Sequence, residues 1–159
     1  MTIKTADICD EHADRVHIAD PIFRAYGGRP AFGGPITTLR VFEDNVLVRS
    51  ALEEPGDGRV LVVDGAASMR CALLGDQLAA LAADNGWAGV VVNGCIRDSA
   101  DIAGIDIGVR ALATMPLKSR KLGRGERDVT VAFAGVAFEP GHHLYADEDG
   151  LLVSADALV

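Results

Sequence analysis

The chain has 159 residues, short enough for one domain spanning 1–159 and long enough to bury a core without disulfide or metal staples. Fifteen Lys and Arg against 23 Asp and Glu leave a net charge of −8, which excludes direct nucleic-acid binding, because phosphate contacts need clustered cations. Apolar residues make up 49% but aromatics only 5%, so Val, Leu, Ile and Ala must build the core, and no apolar run reaches membrane-spanning length. The opening MTIKTADICDEHADR holds no apolar leader core, which points to a cytoplasmic location.

In chain order, TADICDEHADR predicts a short polar helix anchored by Ile8, and ADPIFRAYGGRPAFGGP predicts irregular structure, broken by four glycines and three prolines. ITTLRVF alternates as a strand. EDNVLVRSALEEPG has helical spacing and stops at Pro55-Gly56. RVLVVDG and GVVVNG are continuous β-branched runs, the mark of strands buried on both faces, and IDIGVRALAT predicts a third. Between the first two lies the clearest helix, GDQLAALAADNGW, with Leu78, Leu81 and Ala82 on one face and a stop at Asn85-Gly86. From Glu126 onward, short strands alternate with Ala-Gly, Pro-Gly and Glu-Asp-Gly turns. The fold class is therefore α/β, a layered β/β/α domain with a β/α N-terminal half followed by a β-rich C-terminal part.

If strands 60–64 and 89–93 are neighbours, the corners after them share one edge of the sheet, where α/β proteins bind ligands. Gly75 and Asp76 would then meet Arg97 and Asp98. Gly75 lets a ligand approach the backbone, and the amides of Asp76, Gln77 and Leu78 are the unpaired donors of the helix start, favourable to an anion. Arg97 offers a planar fork for a carboxylate. Asp76 and Asp98 offer hard oxygens suited to Mg²⁺ or Mn²⁺. The bland alternative is that Asp76 caps a helix and Arg97-Asp98 is a surface pair at a strand end.

Other residues draw weaker readings. Cys9, Cys71 and Cys95 form no C-x-x-C pair, and Cys95 reads as a small buried thiol rather than a nucleophile. His142-His143 reads as a turn rather than a zinc site, and His12 and His17 are poorly spaced to share a helical face. Trp87 should pack on the sheet edge. Asp64 is either a turn residue or a partner of Arg97. The lysines Lys4, Lys118 and Lys121 all lie in polar sequence, which disfavours a Schiff-base aldolase. The loop KSRKLGRGER reads as solvated, or as contacting an anion at a subunit interface.

An Asp, twenty residues, Arg-Asp and an acidic residue three further on are all present, as Asp76, Arg97, Asp98 and Asp101. This pattern resembles the signature of the family named for regulator of ribonuclease E activity A (RraA), which includes the 4-hydroxy-4-methyl-2-oxoglutarate aldolases. FGGPITT, VLVVDG, GDQLA, VNGCIRD, GIDIGVRALAT, KSRKLGRGERDV and PGHHLYADEDGLLV resemble family landmarks in family order. The resemblance implies a swivelling β/β/α domain in a ring-shaped homotrimer, with active sites between subunits. It implies that the Gly75, Asp76, Gln77 and Leu78 amides hold the substrate carboxylate and that Arg97 contacts the substrate. It further implies that Asp98 ligates Mg²⁺ or Mn²⁺ directly, with Asp76 and Asp101 in the ion's water shell. The substrate class it implies is a 2-oxo acid with a breakable carbon–carbon bond, and decarboxylation of oxaloacetate follows from the same chemistry. Longer aldolases of the family supply a further acidic residue from a neighbour's C-terminal extension. This chain stops at Val159, and Glu139 or the Asp147-Glu148-Asp149 cluster would have to substitute. The family name adds ribonuclease E as a partner, to which an acidic trimer could bind as a non-catalytic regulator. A methyltransferase reading, a label that similar proteins have carried, is disfavoured because AASMR after the first strand offers no G-x-G.

Overall fold

A computed structural model describes residues 2–159. Helix α1 (Thr5–His12) leads into an edge strand, β1 (Val16–Ile18), and a two-residue strand, β2 (Arg24–Ala25). Strand β3 (Phe32–Arg40) follows, then α2 (Val46–Leu52), β4 (Val60–Asp64), β5 (Ala72–Leu74), α3 (Asp76–Asp84), β6 (Gly89–Ile96), a single turn α4 (Ser99–Ile102) and β7 (Gly108–Thr114). The remainder is β8 (Glu126–Arg127), β9 (Val131–Phe133), β10 (Val136–Phe138), β11 (His143–Ala146) and β12 (Leu151–Ser154). The mixed α/β class and the order of a β/α half before a β-rich half agree with the sequence reading.

One large sheet runs β1-β12-β11-β3-β4-β6-β7-β2, with β5 also paired to β6 and β8 to β3. Its centre is parallel: β3 beside β4, β4 beside β6, and β6 beside β7. Those strands are Val-rich because both faces are covered. On one face α2 and α3 press Val48, Leu52, Leu78, Ala79 and Ala82 onto Leu61, Val63, Val90 and Val92. On the other, the β9–β10 ribbon brings Val131, Val136 and Phe138 against Val60, Val62 and Val91. A continuous apolar run is what such two-sided burial demands.

Several boundaries differ from expectation, each for a local reason. The stretch expected to be irregular through Pro35 already contains four residues of β3. Its first residues pair antiparallel with β11 and its last with β4, so one strand joins two halves of the sheet. Phe32 is buried there by close approach: a Cβ on Gly108 would lie 2.0 Å from its ring. The helix expected from Glu43 begins only at Val46, because Glu43 is left-handed (φ 55°) and the Asp44 carboxylate accepts the Val46 amide. Trp87, expected on the sheet edge, is buried in the helix-side core, with its indole donating to the Glu54 carbonyl. No described helix is long and apolar enough to cross a membrane.

Candidate active site

The corners of β4 and β6 do share an edge, with Asp64 opposite Asn93 in parallel register. What brings Gly75 to Arg97, however, is strand β5, in the stretch between β4 and α3 where the sequence predicts no strand. β6 runs on past β4, and β5 pairs with that projecting end, Ala72 opposite Cys95 and Leu74 opposite Ile96. The Arg97 amide donates to the Leu74 carbonyl at 2.9 Å. Helix α3 therefore starts beside the residues that leave β6.

Gly75 is extended (φ −124°), so no left-handed turn requires glycine here. Close approach does. A Cβ at Gly75 would lie 2.8 Å from Asp98 Oδ2 and 3.6 Å from Arg97 Nε. Asp98 itself is left-handed (φ 58°, ψ 40°), a conformation that Asp tolerates better than most residues. In that pose its Oδ2 accepts the Asp76 amide at 3.1 Å, while Asp76 Oδ1 accepts the Gln77 amide at 2.9 Å. Two of the helix-start donors expected to wait for an anion thus already hold carboxylates. The Asp98 carboxyl lies below the usual range, first because of the Asp76 amide and then through the Asp76 side chain and the Arg97 charge, with burial opposing. It is an ionised, exposed carboxylate, and among the described residues no backbone amide, guanidinium or ammonium donor reaches its Oδ1.

These residues line a cleft of about 240 Å³ together with Asn45, just before α2, Arg49 of α2, and Lys118, Ser119 and Lys121. The second group was missed as a site. Lys118 and Lys121 are exposed, as a solvated loop should be, yet they face this cleft. Ala72 pairs with the chain leaving β7, its amide donating to the Leu117 carbonyl at 2.8 Å, and this carries Lys118 to the cleft. Lys121 Nζ donates to Asn45 Oδ1 at 3.0 Å. Among the described residues the Arg97 guanidinium donates only to the Pro116 carbonyl, at 3.4 Å. Four cations therefore surround two carboxylates.

Asp101 lies in the first turn of α4, exposed, and is not among the residues lining the cleft. Among the described residues no three His, Cys, Asp or Glu side chains converge as a metal cage. The pair Asp76 and Asp98 still fits a hard divalent ion, since Mg²⁺ takes one or two carboxylates and fills its remaining positions with water and substrate oxygens.

The other candidates resolve into structural roles. Asp64 Oδ1 accepts from the Ala66 amide and from Asn93 Nδ2, both at 3.0 Å, so it shapes its turn and does not meet Arg97. Cys95 is buried, its sulfur is 3.3 Å from that of Met69, and burial pushes its thiol up, away from nucleophilic use. His142 sits in a turn and pairs with Glu139 at 3.1 Å. Asp147 is committed to α1, accepting the Thr5 amide at 2.7 Å and the Thr5 hydroxyl at 2.6 Å. Glu139 and Asp147–Asp149 line other clefts of this protomer.

A helix-backed parallel sheet with a charged cleft at its strand ends defines an α/β protein. The chain belongs to the RraA-like family: the aldolase/RraA family model matches residues 5–153. It is 62% identical, over all of this chain and 99% of the other, to a protein of Alkalilimnicola ehrlichii provisionally named 4-hydroxy-4-methyl-2-oxoglutarate aldolase. Its fold matches the RNA-processing inhibitor RraA of Thermus thermophilis with a TM-score of 0.96, at 48% identity over 100% of this chain and 96% of that one. It matches equally well, again at 0.96, a Geobacillus kaustophilus structure named S-adenosylmethionine:2-dimethylmenaquinone methyltransferase, at 54% identity over 98% and 97% of the two chains. One fold thus carries three functional names, so activity must be argued from the site.

Proposed function

We propose that the chain is a divalent-metal-dependent aldolase of the class II type, cleaving 4-hydroxy-4-methyl-2-oxoglutarate to two pyruvates and decarboxylating oxaloacetate as a side activity. The carrying observation is the meeting of Arg97, Asp98 and Asp76 at the start of α3, in a cleft where cations outnumber carboxylates. The names of relatives near 60% identity support an aldolase of this substrate.

Asp98 would hold the cation through Oδ1, with Asp76 acting through water. A bound Mg²⁺ or Mn²⁺ supplies a Lewis acid for charge developing on the 2-oxo group. The Leu78 amide, which takes part in none of the described hydrogen bonds, and the amides of Gln77 and Asp76, once their carboxylates swing away, would receive the substrate carboxylate. In the cleavage, a water removes the 4-hydroxyl proton, the bond between C3 and C4 breaks, and one pyruvate departs. The electron pair passes to the other fragment as an enolate, which is then protonated at C3. Arg97 places a fixed positive charge beside that enolate oxygen. Decarboxylation of oxaloacetate leaves the same enolate, so the same charge serves it.

Pyruvate release from both substrates, assayed with Mg²⁺, with Mn²⁺ and with EDTA, tests this reading. We expect activity that EDTA abolishes and that Asp98→Ala and Arg97→Ala each reduce by about 10²–10³-fold. A parent inert with every ion overturns it. Lys118 and Lys121 in the cleft give the Schiff-base route a definite place to be checked. Borohydride with pyruvate should leave the chain unmodified, and a pyruvyl-lysine adduct would replace the metal route.

A homotrimeric ring would complete the site. Exposed Phe42 and Leu122 share one patch with Arg120 and Arg124, whereas exposed Ile18 and Ile22 accompany Asp20 and Asp147–Asp149 elsewhere. Such unlike, complementary faces suit head-to-tail closure, and sedimentation should give a trimer. The Thermus neighbour is named an RNA-processing inhibitor, which favours a second reading, a non-catalytic regulator whose partner we propose to be ribonuclease E. A salt-titrated pull-down against ribonuclease E, run alongside the pyruvate assay, separates the two.

A further inference from the structure

Two of the chain's three asparagines precede glycine, as Asn85-Gly86 and Asn93-Gly94. Without a Cβ on the following residue, its backbone nitrogen can approach the asparagine side chain and attack it. The two pairs sit in opposite settings. Asn93 is 6% exposed within β6, and Gly94 is buried beside it. Asn93 Nδ2 donates to Asp64 Oδ1, and the Asn93 carbonyl accepts the Gly65 and Ala67 amides, both at 3.1 Å. Asn85 is half-buried at the end of α3, and Gly86 is exposed.

The fold requires both residues of the outer pair. Gly86 is left-handed (φ 81°), which a side chain would strain. Its amide donates to the Ala83 carbonyl at 3.2 Å, and the Trp87 amide donates to the Ala82 carbonyl at 3.0 Å. These are the paired bonds of a Schellman cap, and they close α3. Asn85 Nδ2 donates to the Leu52 carbonyl at 2.8 Å, tying the end of α3 to the last residue of α2. The Asn85 carbonyl accepts the Gly56 amide at 2.7 Å, and the Gly86 carbonyl accepts that of Gly58 at 2.9 Å. The cap therefore places a labile dipeptide at a helix end. Two of its bonds, from the Gly86 amide and from Asn85 Nδ2, occupy the attacking nitrogen and the leaving amide. Helix ends open more readily than central strands, so these bonds break while the sheet stays folded.

We infer that Asn85 is a modification site, deamidated when the α2–α3 end opens, while Asn93 is spared in the folded chain. The Gly86 nitrogen gives its proton to hydroxide and bonds to Asn85 Cγ, and Nδ2 leaves as ammonia. Water then opens the cyclic imide at either carbonyl, leaving aspartate or isoaspartate. One water is consumed and one ammonia released, with no change of oxidation state. Either product lacks the donor to Leu52 and sets a carboxylate near that carbonyl. Isoaspartate also lengthens the main chain beneath the cap. This site lies at the end of α3 opposite the cleft and is independent of what the cleft binds.

The test incubates the full chain at mildly alkaline pH, native and in guanidinium chloride, and follows the tryptic fragment 71–97 by mass spectrometry. That fragment carries both Asn-Gly pairs, and its fragment ions assign the conversion of amide to acid to 85 or to 93. In guanidinium both asparagines should react at similar rates, since both precede glycine. In the folded chain Asn85 should react about ten- to hundred-fold more slowly than in guanidinium, the factor that two hydrogen bonds of ordinary net strength give, and Asn93 should stay intact. Asn85→Asp, which carries the product side chain from the start, should lower the melting temperature by about 2–6 °C. Asn85→Gln, which keeps an amide donor, should melt closer to the parent. Deamidation of Asn85 in the folded chain no faster than that of Asn93 overturns the inference. So does a rate at Asn85 that is the same folded and denatured, or an Asn85→Asp variant that melts with the parent.

Discussion

Asp98 and Asp147 do similar hydrogen-bond chemistry in opposite settings. Each carboxylate accepts a backbone amide at the start of a helix, Asp98 for α3 and Asp147 for α1. Asp147 is buried and used on both oxygens: Oδ2 takes the Thr5 amide, and Oδ1 takes the Thr5 hydroxyl and the Asp149 amide. Its backbone carbonyl also accepts from buried Arg110. Asp98 is exposed, takes no backbone amide, guanidinium or ammonium donor on Oδ1 among the described residues, stands in a left-handed conformation and faces a cleft rich in unpaired cations. A saturated, buried acceptor has no capacity left for a ligand, whereas a half-used acceptor in a strained pose has. The comparison separates a carboxylate that holds the fold from one available to chemistry.

The largest expected effect lies on the Asp98 side. Asp98→Ala should reduce kcat/KM for 4-hydroxy-4-methyl-2-oxoglutarate about 10²–10³-fold while moving the melting temperature little, as steady-state assays and thermal melts on one preparation would show. Asp147→Ala should do the reverse, costing about 2–3 kcal/mol in urea unfolding because it leaves the buried Thr5 amide and hydroxyl without partners. A variant at 147 that stays stable but inactive would break the comparison.

Acid should sharpen it. Burial opposes the Asp147 charge most strongly, but the Thr5 and Asp149 donors outweigh it and hold the carboxyl below its usual 3.8. A depressed carboxyl contributes stability that is complete above the unfolded value. That stability declines as pH falls from 3.8 to the folded value and is absent below it. Melts between pH 6 and pH 2 should show this acid loss in the parent and a smaller one in Asp147→Asn.

Gly75→Ala should have an intermediate effect. The added Cβ would crowd Asp98 Oδ2, weakening cation affinity by about 10- to 100-fold with the helix retained, as metal titration would reveal. The smallest effect belongs to the exposed pair of Arg15 and Asp156, where Asp156→Asn should change stability by no more than about 0.5 kcal/mol.

The sequence made one wall of the cleft legible and hid the other. Val-rich runs announced β4 and β6, and the apolar face from Leu78 to Ala82 announced α3, because burial on two faces or on one stripe leaves a local pattern. The Arg97-Asp98 corner followed from those elements. Strand β5 left no such pattern, since three apolar residues after Cys71 fit a loop as well as a strand until β6 offers them a partner. Arg49, Asn45, Lys118 and Lys121 could not be grouped by spacing either. The contacts joining them, such as Asn45 with Lys121, span more than seventy residues. FGGPITT misled for a related reason: its glycines mark close packing within a strand rather than a turn. Asp101 matched the family pattern by position, yet it lies outside the cleft-lining set of this protomer.

The most direct measurement is Mn²⁺ binding followed by electron paramagnetic resonance on the parent, Asp98→Asn and Asp147→Asn, each confirmed folded at the temperature used. The account predicts that Asp98→Asn weakens Mn²⁺ affinity at least about ten-fold while Asp147→Asn binds as the parent does. Equal affinity in the parent and Asp98→Asn would contradict it.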